Sequence, residues 1–225
     1  MTTVNAKYQL ALFSIYAIAM ALLEAVVVVY MRQLYYPENP QEVFPLSFLD
    51  SYNPAVELSR EIATIVMIIA VALIGESRSL SRQFAAFLYV FGLWDIFYYV
   101  WLKVLMDWPR TWLEWDVLFL VPVMWLGPWI CPAAVAALFT VWGAWALTTK
   151  RNVHFRRASL VVFTTGSTLG LATFFEPAIT YANQHGHEAL NRFAPNGFWW
   201  PLFAISLMMM AAGLLMASQT DKPVT

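Results

Sequence analysis

Six stretches of about 20 predominantly apolar residues recur along this 225-residue chain. Each is long enough to cross the ~30 Å hydrocarbon core of a bilayer as a helix. They cover residues 9–31, 54–75, 83–105, 128–147, 158–178 and 198–217. Water is absent from a bilayer core, so every backbone N–H and C=O must be satisfied within the protein, and only helices and closed barrels manage this. Uninterrupted apolar runs of this length select helices. The chain is therefore read as all-α: a polytopic integral membrane protein of six transmembrane helices forming a single domain, residues 1–225.

Composition agrees. The chain is 60% hydrophobic and 12% charged, against roughly 25% charged in a soluble domain. A soluble fold of this size has no interior able to hide that much apolar surface. A soluble enzyme, a disordered chain and a basic nucleic-acid-binding face are excluded. No phosphate-binding glycine loop, Gly-x-Ser-x-Gly elbow or paired-histidine zinc helix is present, so no nucleotide partner is implied. Cys131 is the single cysteine. It leaves no intramolecular disulfide and no cysteine-based metal cluster, and it reads as a small buried hydrophobe. The first apolar segment lacks a small-residue cleavage site and reads as a retained helix.

One further segment is ambiguous. Residues 108–124 are apolar but interrupted by Pro122, and Gly127 and Pro128 follow. The preferred reading is a short interfacial helix at about 110–122. The other is a re-entrant start to the fourth span, tolerated only where irregular backbone is buried in protein or lines a cavity.

Lysine and arginine set the orientation. With the N-terminus inside, Lys7, Arg78, Arg82, Lys222 and the run from Lys150 to Arg157 are cytoplasmic. Arg32, Arg60, Lys103, Arg110 and Arg192 are outside. Both termini are then cytoplasmic and the chain belongs to the cell membrane, the inner membrane where there are two. Trp108, Trp112, Trp115, Trp199 and Trp200 fall at the outer boundary, as an aromatic belt requires. The proline-rich outer loop 32–53 is long enough to fold over the outer face. Asn53 and Pro54 suit the cap and first turn of the second helix.

The acids are distributed far more unevenly. Of 14, only Glu76 and Asp221 fall on the cytoplasmic side. Glu24 and Glu61 lie roughly 10 Å, and Asp95 roughly 15 Å, below the outer boundary at 1.5 Å per residue. Asp116 sits near the start of the fourth span and Glu176 near the end of the fifth. Glu57, Arg60, Glu61 and Thr64 fall at i, i+3, i+4 and i+7, one polar stripe on the second helix. Facing lipid, such charges cost about 2.5–3.5 kcal/mol each near the bilayer centre, so the stripe must face the bundle interior. Asp95 carries Tyr98 and Tyr99 one turn further out. Ala17, Ala21 and Ala25 let a neighbouring helix approach Glu24 closely.

An internal ion-pair network around Arg60 is the bland account of these charges. It is incomplete. Arg60, with Arg32 reaching in from the rim, supplies two bases for the five acids Glu24, Glu57, Glu61, Asp95 and Asp116. The remainder must be protonated, solvated or bound to a cation. The leading reading is an outward-facing carboxylate cluster that binds a cation, protons, or a small polar or lipid-headgroup substrate. Glu24, Glu57, Arg60, Glu61, Asp95, Tyr99 and Asp116 form it, and Glu24, Glu61 and Asp95 are candidate ligands for a divalent metal. The alternatives are a structural subunit assembled with other membrane subunits, and an intramembrane enzyme using paired carboxylates on a lipid or quinone-like molecule. No histidine lies within a span, which disfavours haem. His185, His187 and Glu188 could reach a metal from the loop above, but a solvated loop is the plainer reading. The small polar stretch from Thr164 to Gly170 suits close helix packing or a pathway lining. Met208, Met209 and Met210 read as apolar filler.

Overall fold

The computed structural model describes residues 6–46, 54–120, 123–151 and 153–218. Asn53, Pro122, Asp221 and Lys222 lie outside them. Six helices appear: α1 Ala6–Tyr35, α2 Pro54–Gly75, α3 Leu80–Met106, α4 Ile130–Thr148, α5 Arg157–His185 and α6 Trp200–Ser218. Each is long and apolar enough to cross a membrane. The protein is a multi-pass helical membrane protein. α1 and α5 extend beyond their apolar cores. α5 runs through Pro177, as membrane helices can when neighbours satisfy the freed backbone groups.

The segment expected as an interfacial helix is not helical. Trp115–Phe119 and Trp125–Pro128 form an antiparallel hairpin, β1 and β2, with Asp116 opposite Gly127. The physical reason lies in the residues. Trp115, Val117 and Phe119 favour a pleated strand, while Gly127 and Pro128 break helix. Pairing across the hairpin satisfies backbone groups that an interrupted helix would leave open. Leu126 and Asp116 are buried, so part of this irregular backbone lies inside protein.

α3 is the central helix. α1, α2 and α4 pack on it, while α5 and α6 pair with each other. Small residues set the closest approaches. A Cβ on Gly92 would collide with the Ala136 carbonyl oxygen of α4. One on Gly143 would lie 2.8 Å from that of Ala85 on α3. Gly166 and Gly213 play the same part between α5 and α6, so the small polar stretch of α5 does serve helix packing. Without a hydrophobic drive between helices in lipid, such close backbone contact supplies the association energy.

The two ends of the bundle differ in chemistry. At one end Arg82 donates to the carbonyls of Leu147 (3.2 Å) and Thr149 (2.8 Å), covering the open C-terminus of α4. Arg78 pairs with Glu76 and Gln9 donates to Gly75. Burial alone would raise the Glu76 carboxyl, but the Arg78 guanidinium and amide outweigh it and hold the group below its ordinary range. The bases assigned to one side by sequence thus share one end of the bundle. The hairpin occupies the other. There residues 36–46 fold over the helix ends, with Leu46 fully buried against Leu126, Ala178 and Phe193.

Gly92→Val is expected to destabilise the bundle by about 1–3 kcal/mol, the usual cost of overpacking. Gly197→Val, where nothing lies within 4 Å of the added carbon, should stay within about 0.5 kcal/mol. Thermal unfolding followed by size-exclusion profile in detergent checks both.

Candidate functional site

A cavity of about 380 Å³ opens among the six helices and the hairpin. Its hairpin end holds every site residue expected from sequence. Glu24 of α1, the stripe Glu57, Arg60, Glu61 and Thr64 of α2, Asp95 and Tyr99 of α3, and Asp116 of β1 all line it.

The stripe faces inward for a simple reason. Glu57, Glu61, Thr64, Ile68 and Ala72 are the buried face of α2, polar in one half and apolar in the other. Arg60 bridges Glu24 of α1 and Glu57 of its own helix. Thr64 Oγ1 donates to Glu24 Oε1 at 2.6 Å. This is the network around Arg60, drawn to two acids. Glu61 does something else. Both of its oxygens lie 3.0 Å from the amide nitrogen of Leu120, which donates to them from the hairpin. The stripe of α2 thereby positions the end of β1 over the cavity.

Arg32 reaches in from the end of α1. Its Nη2 donates to Asp116 Oδ1 at 3.1 Å, and its guanidinium carbon lies 4.1 Å from the centre of the Trp108 ring. A guanidinium stacked on an indole face is a favourable cation–π contact. Asp116 is only 3% exposed. Burial pushes its carboxyl up to about 6, against the opposing pull of Arg32, the Val117 amide and the Tyr99 hydroxyl.

Asp95 stands apart. It is 9% exposed and lines the cavity, and among the described residues it makes no hydrogen bond or ion pair. Beside it the indole N–H of Trp94 is buried and also without a partner. Five carboxylates and two guanidiniums therefore share one cavity, and both guanidiniums are already engaged.

Other residues are not brought in. Glu176 accepts from Thr180 on the face of α5 at 2.8 Å and does not line the cavity. His185 stacks on Tyr181 at 4.4 Å and His187 is exposed in the short 3-10 helix His187–Arg192. The Glu188 side chain lies outside the described residues. Among the described residues, no three histidine, cysteine, aspartate or glutamate side chains come together where they could hold one metal ion. Glu24, Glu61 and Asp95 surround a space rather than a point.

The sequence reading missed the other half of the cavity. Phe84, Phe87, Phe91, Trp94 and Tyr98 form a ladder of ring contacts along α3, with successive centroids 5.6–6.4 Å apart. Phe163 and Phe139 meet the ladder at Phe84 and Phe91, with centroids 5.8 and 6.4 Å apart, and Phe174, Ser167, Gly170 and Leu171 line the same cavity. The spacing i, i+3, i+7, i+10, i+14 was visible in sequence as one helical face, but nothing there separates a face on a cavity from a face on the core.

A comparison of the chain with protein-family models, curated proteins and solved structures finds no match.

Arg60→Gln leaves Glu24 and Glu57 buried without their cation, and should cost about 3 kcal/mol of stability. Glu24→Gln placed on that background should restore part of the loss, read by thermal unfolding of the single and double variants. The Asp116 carboxyl predicts a pH dependence. In the folded protein it holds its proton up to about pH 6, whereas the unfolded chain releases it near the ordinary value of 3.8. The native state binds more protons across that window, so its contribution to stability falls as pH rises from 4 to 6.5. Asp116→Asn should flatten that slope in unfolding measured across the same range.

Proposed function

We propose that this cavity binds a membrane amphiphile, its polar head at the outward-facing carboxylate–arginine cluster and its hydrocarbon chain along the aromatic ladder. One observation carries the reading: the charged cluster and the aromatic wall line a single continuous cavity. From Phe84 to Tyr98 the wall covers about 21 Å of helix at 1.5 Å per residue. One leaflet of the hydrocarbon core is about 15 Å deep, so the wall is long enough for the chain of a membrane lipid. A volume of about 380 Å³ falls within the usual range for ligand sites, roughly 300–1,000 Å³.

The cluster suits recognition better than a lone structural network would. Glu24, Glu57, Arg60 and Thr64 satisfy one another, and that part can be scaffold. Asp95 lines the cavity without a partner among the described residues and the Trp94 N–H is buried beside it without one, and buried polar groups without partners are costly unless a ligand or water supplies them. Leu120, tied to Glu61, closes the head region with the hairpin. The bound molecule would enter from the bilayer and be held with its head on the hairpin side.

Native mass spectrometry of protein released from a glycosylated steroid detergent tests this. Wild type should retain one chain-bearing molecule per polypeptide. Leu171→Trp, which narrows the apolar arm, should lose it, as should Asp95→Asn at the head. An empty wild type, or equal occupancy in all three proteins, would overturn the reading.

A further inference from the structure

Which charge the head region suits follows from which groups are already engaged. Arg60 is held by Glu24 and Glu57. Arg32 is held by Asp116 and by the face of Trp108. Each guanidinium is thus already paired with carboxylate, although Arg32 Nη1 is itself buried without a hydrogen-bond partner. Against them stand five carboxylates. Asp95 has no partner among the described residues, and Asp116 Oδ2 is likewise buried without one. An anionic head would meet uncompensated negative charge in a poorly screened site. A head that brings positive charge would relieve it.

The surroundings of Asp95 sharpen the chemistry. It lies between Trp94 and Tyr98 in the chain, and both rings line the same cavity with Tyr99. Trp94 and Tyr98 are 6.4 Å apart between centroids, and Tyr98 meets Tyr99 edge to face at 5.1 Å. Phe119 of the hairpin adds a further ring 6.3 Å from Trp94. A carboxylate set among indole and phenol faces is the arrangement that recognises alkylated ammonium groups. Ring quadrupoles attract the diffuse cation and the acid balances its charge.

We infer that the site takes an amphiphile with an ammonium head, seated against Asp95 among Trp94, Tyr98 and Tyr99. This rests on the amphiphile reading above and specifies its headgroup. Asp95 supplies the counter-charge, the three rings supply the cation–π faces, and the hydrocarbon chain follows Phe91, Phe87 and Phe84. Arg60 is engaged with Glu24 and Glu57, Arg32 with Asp116 and Glu61 with the Leu120 amide, so Asp95 is the acid left for the ligand.

Three soluble probes with the same chain separate the head from the tail: octyltrimethylammonium, 1-octanol and octyl sulfate. Binding is read as thermal stabilisation across a titration, in micelles of a glycosylated steroid detergent that carries neither an ammonium group nor a linear chain. Wild type should bind octyltrimethylammonium about tenfold more tightly than octanol, and octyl sulfate more weakly than either. Asp95→Asn should abolish the preference while keeping octanol binding. Tyr98→Leu should reduce it and serves as the second variant if Asp95→Asn does not fold. Equal binding of ammonium and octanol to wild type, or preference for the sulfate, overturns the ammonium assignment while leaving the amphiphile site. Failure of all three probes to stabilise wild type overturns the amphiphile reading itself.

Discussion

A carboxylate carried into an apolar helical bundle must be neutralised or solvated where it stands, and this requirement organises one end of the protein. The stripe of α2 cannot face lipid at the cost such charges incur, so it turns inward. Once inside, it needs partners from other elements. α1 meets it with Glu24 and a line of alanines, while Arg60 spans between the two helices. α2 is held against the bundle by α3 and by these polar contacts. The arrangement is a buried network whose removal in part costs more than its presence returns.

The hairpin completes that end. A strand pair among membrane-spanning helices needs protein around it. Glu61 satisfies the Leu120 amide, and Arg32 satisfies one oxygen of Asp116. The same hairpin carries Phe119, which joins the ring cluster through Trp94 and Trp125. One short irregular element thus ties the ionic half of the cavity to its aromatic half. An interfacial helix at that position would lie along the membrane surface and leave Glu61 without the Leu120 amide.

Much of this was legible in residue order. The six spans and the gathering of bases at one end follow from apolar run length and from where charges punctuate it. The inward turn of Glu57, Arg60, Glu61 and Thr64 follows from helical spacing and the cost of charge in lipid. The assembly of Glu24, Asp95, Tyr99 and Asp116 around them was legible from similar depths alone. The hairpin was not, because a short apolar stretch between turn residues has no period long enough to separate a strand from a surface helix. The cavity was also hidden. Phe84, Phe87 and Phe91 look the same in sequence whether they pack on a neighbour or border empty space.

The sequence by itself determined that this chain crosses a membrane several times and that its acids collect at one end of the spans. Those are consequences of solvation, which each residue meets locally. Tertiary structure alone decided the pairing. It gave Arg60 to Glu24 and Glu57, Arg32 to Asp116, and left Asp95 to the cavity. Which acid goes unpartnered depends on distances of a few ångströms between helices, set by close contacts at glycine and alanine, and no local rule contains them.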